Sequence, residues 1–176
     1  MKKIVGSIIT LVIGGTVFSF SQADVVKNFS KNSGLTQQEA QQYVDGLKKE
    51  DLQSFDKIGS EMISDGQQVV EASDKIDCVN YTYKWVSDSL SCEEGKAQLY
   101  TDGNDEIALG NAYKELDTKK ATKEDMSLVI SDIDTFNSDL ESGVVSEILG
   151  PSTIDEMKKS NNYNKALLQS ALDSKR

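Results

Sequence analysis

The sequence predicts an all-α fold. It would be a helical bundle with two long antiparallel helices, at about 51–77 and 122–149, shorter flanking helices and one disulfide-closed loop. Three observations predict it. Leu52, Phe55, Gly59, Met62, Gly66, Val69, Ser73 and Ile76 recur at alternating spacings of 3 and 4, a sustained heptad register. Met126, Val129, Ile130, Ile133, Phe136, Leu140, Val144 and Ile148 keep helical spacing over a second stretch of similar length. The 176-residue chain holds a single proline, and it follows Gly150, where glycine can take the left-handed cap and proline cannot continue the helix.

The chain opens as a leader. Lys2 and Lys3 precede an uncharged apolar run from Ile4 to Phe20, and Ser21-Gln22-Ala23 ends in small residues at the positions a signal peptidase reads. Residues 1–23 are therefore expected to be a cleaved signal peptide outside the fold. An uncleaved N-terminal anchor is the competing reading. Residues 24–176 follow as a single helical domain. Its first stretch, 24–34, is rich in Asn and Ser and is expected to be loosely ordered, as are the last few residues.

Helix starts are marked by capping signals. Thr36-Gln37-Gln38-Glu39 forms a capping box with Leu35 as hydrophobic staple, and Ala40, Tyr43, Val44 and Leu47 make the buried stripe behind it. In the long element at 51–77, the small residues Gly59, Gly66 and Ser73 fall every seventh position. They let a neighbouring helix approach closely, with large side chains opposite filling the gap. A break at Ser64-Asp65-Gly66-Gln67 is also open, since Ser64 could cap a new helix.

Cys78 to Cys92 contains both cysteines, the only tryptophan and two of the six tyrosines. Ser91-Cys92-Glu93-Glu94 fits another capping box. The residues between are extended-chain formers such as Tyr, Thr, Trp and Val. Cys78 and Cys92 are expected to bond and staple a corner. Val79, Tyr83, Val86 and Leu90 also sit at helical spacing, and one straight helix would hold the cysteines about 21 Å apart, too far to bond. Tyr81, Tyr83 and Trp85 form the candidate recognition surface, or else they cap the end of the core.

Past the loop, a short helix is expected at 93–100. Thr101-Asp102-Gly103-Asn104 reads as a turn, and a further helix spans 105–116. Thr122 caps the second long element, with Glu124 and Asp125 at the positive end of its dipole. After Pro151 a short helix to Lys159 precedes a polar break at 160–164. Ala166, Leu167, Leu168, Ala171 and Leu172 give a last amphipathic segment.

Composition narrows the chemistry. The chain has 29 acidic residues, 19 basic residues and no histidine, for a net charge of −10. Removing Lys2 and Lys3 makes the remainder more acidic. That balance repels nucleic acid and anionic membrane surfaces. Without histidine there is no His-based triad or His-ligated zinc, and two cysteines are too few for a Cys₄ site. The carboxylate pairs Asp132/Asp134 and Glu93/Glu94 read as helix-surface acids. Asp102, Asn104, Asp105 and Glu106 offer oxygen ligands, but Gly103 falls at the wrong position for a calcium loop. No metal and no cofactor are expected. Asn28-Phe29-Ser30 and Asn80-Tyr81-Thr82 match the glycosylation pattern by chance in a chain with a bacterial-style leader. The expectation is a non-enzymatic protein in the periplasm or outside the cell. It would bind another protein as an accessory, chaperone-like factor or inhibitor, without stable membrane insertion after leader cleavage. A secreted effector or toxin is the alternative.

Overall fold

A computed structural model of the chain describes residues 7–47, 54–80, 90–118, 120–141 and 143–174. In order along the chain they form β1 (Ile8–Ile13), β2 (Thr16–Ser21), α1 (Gln22–Ser33), α2 (Gln37–Gly46), α3 (Phe55–Asp74), α4 (Cys92–Thr118), α5 (Lys123–Asp139), α6 (Gly143–Leu149) and α7 (Pro151–Ser174). The predicted helical bundle is present, with the Cys78–Cys92 bond closing its loop.

The centre of the bundle is an antiparallel pair, but the partner of α3 is α4 rather than the 122–149 stretch. Residues 101–104, expected to be a turn, lie inside α4 as continuous helix. The reason is on the facing surface. Gly59 and Gly66 of α3 lie against Gly110 and Gly103 of α4, backbone to backbone. The glycine that suggested a turn is thus a contact residue, and its tertiary packing outweighs its poor helix propensity. Small residues meet small residues at the closest approach, and the expected large side chains flank it, Ile107 against Gly66, Ile63 against Gly110 and Val70 against Gly103. α3 runs unbroken through 64–67. At the open end of the pair Phe55 stacks on Tyr113 with centroids 5.3 Å apart. There the Asp117 carboxylate also accepts from the Asp56 amide at 2.7 Å.

The other end carries the disulfide. After α3 stops, the Asp77 carboxylate accepts from the amides of Val79 and Asn80 at 3.0 and 3.1 Å and so turns the chain at Cys78. Ser91 and Glu94 then form the anticipated capping box: the Glu94 amide donates to Ser91 Oγ at 3.2 Å, and Glu94 Oε2 accepts from the Ser91 amide at 2.8 Å. The two Cα atoms end 5.6 Å apart, which excludes the straight-helix alternative.

The second expected long helix is divided. α5 ends at Asp139 and α6 begins at Gly143. Val144 packs with Leu99 beside Val69, Ile76 and Leu90, whereas the adjacent Val145 joins the main core. Both residues lie on α6 and diverge by about 100° around it, so α6 sits between the two clusters and buries one side chain in each. Gly150 at φ 76 then separates α6 from α7, with Pro151 opening the latter.

Two segments expected to be irregular are helical. Residues 24–33 lie within α1, capped by Ser21 at its start and by Gly34 at φ 69 at its end. Val25, Val26 and Phe29 are buried, and Asn28 and Asn32 donate across to Ser170 and Gln169 of α7. Polar residues there serve a helix–helix seam instead of loosening the chain. The same holds at 160–164, inside a continuous α7 that stays helical to Ser174. Asn137 of α5 donates to Asn162 and accepts from Asn161, each at 3.0 Å, so the buried amides satisfy one another.

Residues 8–21, read from the sequence as part of a leader outside the fold, form an antiparallel hairpin in the intact chain. Gly14 and Gly15, at φ 53 and 73, make its two-residue turn. β2 lies against α7 and α1, and Ile13, Phe18 and Phe20 enter the core. Ile8, Val12 and Val17 face outward.

Candidate functional site

The aromatic residues singled out for recognition, Tyr81, Tyr83 and Trp85, lie outside the described residues. The described part of the molecule has a large concavity elsewhere. A cavity of about 490 Å³ opens between β1, α2, α3 and α7. Its walls are mainly apolar: Ile9 and Leu11, Tyr43 and Leu47, Ile58 and Met62, Met157 and Leu167, with Phe136 behind. A second space of about 420 Å³ lies beyond it, between α3, α4, α6 and α7, lined by Val69, Ala72, Leu99, Leu149 and Met157. Both spaces share Asp65, Glu106 and Met157.

Glu106 is the residue on which this geometry turns. It is only 5% exposed, yet it faces both cavities. Burial, and then the nearby Asp65 carboxylate, raises its pKa from the ordinary glutamate range to about 7. A small interstice between α4, α5 and α7 adds Asp102, one turn before Glu106, and Asp139. Oδ2 of Asp139 is buried without a hydrogen-bond donor, and burial followed by the charge of Asp105 raises its pKa. Among the described residues no Lys or Arg lines any of the three spaces. Among the described residues no group of three or more potential ligands is arranged to hold a metal ion.

The position of Glu106 follows from the glycine seam. Gly103, Glu106 and Gly110 are spaced 3 and 4 apart, so one face of α4 carries all three. On α3, Asp65 precedes Gly66 and flanks the same seam. Asp102 and Glu106 were weighed as calcium-loop ligands. As a helical pair at i and i+4 they are instead buried acids. The signal that finds Glu106 is a glutamate between two seam glycines, visible once 101–104 is allowed to be helix. Of the other residues considered, Cys78 and Cys92 are bonded. Asp132 and Asp134 are exposed on α5, and Asp134 pairs with Lys165 of α7 at 2.7 Å. Glu93 is exposed, and Glu94 belongs to the helix cap.

The fold and site define a disulfide-linked helical bundle with an apolar cavity floored by carboxylates. No protein family, curated protein or solved structure matches the chain.

Proposed function

We propose that this is an exported, non-enzymatic binding protein whose concavity between α2, α3 and α7 receives an apolar element of another protein. One observation carries the reading: this concavity of about 490 Å³ has walls mainly of Ile, Leu, Met, Tyr and Phe, which suits desolvated contact better than bond chemistry. The disulfide is consistent with an oxidising compartment. Among the described residues no helix is long and apolar enough to cross a membrane. A leader ending at Ala23 supplies the route out of the cytoplasm.

Cell fractionation with mass spectrometry, followed by cross-linking in the native envelope, tests this. The expected result is a chain beginning at Asp24, outside the cytoplasm, joined to a partner through the cavity wall. Ile58→Glu should abolish the cross-link while leaving the melting temperature within a few degrees. A cytoplasmic chain with Met1 or Lys2 at its terminus would end the export reading. A cross-link indifferent to Ile58→Glu would move the binding surface elsewhere.

A further inference from the structure

We propose that the space floored by Glu106 is a binding site for a small amphiphilic cation, an ammonium group carried on an apolar stem. The first ground is the side chain itself. Glu106 is 95% removed from solvent, lines both of the spaces described above, and among the described residues has no donor or cation bonded to it. A carboxylate in that position is costly until a cation or a proton reaches it.

The second ground is the charge around it. The acids that face these spaces come from three elements: Glu61 and Asp65 on α3, Asp102 on α4, and Asp139 on α5. Among the described residues the surfaces contributed by β1, α6 and α7 bring no charged group, and α2 and α7 bring the phenols of Tyr43 and Tyr163. The charge of these described residues disfavours an anion, and among the described residues no ligand set converges on a bare metal ion. The third ground is shape. Beyond the carboxylate, Val69, Leu149 and Met157 line an apolar pocket of about 420 Å³, which takes the stem. That pocket is formed without β1, so the site does not depend on whether the leader is cleaved.

In the complex the ammonium N–H donates to the Glu106 carboxylate, with Asp65 adding its charge. Near pH 7 part of the protein holds Glu106 protonated. Binding then requires its ionisation, and the displaced proton passes to the buffer.

Isothermal titration of the full chain with hexylamine hydrochloride tests the proposal, with hexanol and methylamine hydrochloride as probes lacking the charge or the stem. Expected is one site for hexylammonium, with both other probes about tenfold weaker or worse, as the loss of one charge-assisted hydrogen bond or of the apolar contact implies. Affinity should rise between pH 6 and pH 8. Glu106→Gln should lose about tenfold or more, while Asp155→Asn, an exposed acid outside the cavity, should lose nothing. Should Glu106→Gln fail to fold, the native protein still decides. At pH 7 its binding heat must differ between phosphate and HEPES, which take up the released proton with different enthalpies. Absence of hexylammonium binding, equal binding of hexanol, unchanged affinity in folded Glu106→Gln, or a buffer-independent heat at pH 7 would each overturn it.

Discussion

A methyl group added at Gly59 would sit 2.3 Å from the Gly110 carbonyl oxygen, and one at Gly66 would sit 2.6 Å from that of Gly103. Neither oxygen can yield without moving a helix backbone. Gly59→Ala gains roughly 1 kcal/mol of helix propensity, but it forces the two helices apart along the whole seam. The net loss expected is about 1–3 kcal/mol by chemical denaturation, the range of overpacking defects. Gly46→Ala, with open space around the new methyl, should be neutral or slightly stabilising in the same assay. Glu106 makes the opposite kind of demand. Its folded pKa of about 7 lies above its ordinary 4.5, so the folded chain binds this proton more tightly than the unfolded chain does. Its contribution is therefore fully present below pH 4.5 and is lost as pH rises to about 7, on the order of 3 kcal/mol in all. Glu106→Gln should remove that slope from a plot of unfolding free energy against pH and leave the variant more stable than the native chain above pH 7. An unaltered slope would mean that the acid is not held in a desolvated place.

At the scale of elements, one antiparallel register explains three features together. With Gly59 against Gly110 and Gly66 against Gly103, the ends of α3 and α4 arrive where Cys78 meets Cys92. The bond therefore closes a pair already in register. Replacing both cysteines by serine should cost about 3 kcal/mol, the chain-entropy value for a loop of about 15 residues, and should leave the helical circular dichroism intact. A loss of helicity would instead mean that the seam needs the bond to form. Much of this level was legible in the sequence. The caps at Thr36, Ser91 and Thr122, the stop at Gly150-Pro151 and the cysteine pairing are local chemistry, and local chemistry can be read one stretch at a time. The pairing of α3 with α4 was not legible, because Asp102-Gly103-Asn104 has the composition of a turn and only the facing helix makes it a contact. The asparagines at 161 and 162 misled for the same reason: an amide reads as a break until its partner on another helix, here Asn137, is in view. In the sequence Glu106 reads only as an oxygen ligand in a supposed turn, because its burial depends on that same pairing.

The whole molecule presents one segment with two readings. Basic residues, an apolar run and small residues before Asp24 read as a leader. Two apolar runs separated by Gly14-Gly15 also make a hairpin, and in the intact chain that hairpin is folded. An exported leader is threaded as an open chain, so translocation would have to precede or undo this hairpin. After cleavage at Ala23 the mature chain would lack it and would begin inside α1. The surfaces now covered by Ile13, Phe18 and Phe20 would then meet water, and Ser21 would no longer cap the helix. Each buried side chain of this size contributes about 1.5–3 kcal/mol, and the cap about 1 kcal/mol, offset by the entropy of ordering two strands. The chain processed to Asp24 should therefore melt lower than a full-length form whose cleavage is blocked by Ala23→Leu, by a margin on the order of a few kcal/mol. It should also bind more of a hydrophobic dye, because the cavity loses its β1 wall and Tyr43, Ile58, Met62 and Leu167 come into reach. Equal melting and equal dye binding would mean that the hairpin adds no packing to the bundle. A large difference would mean that loss of residues 1–23 uncovers the cavity wall that β1 closes.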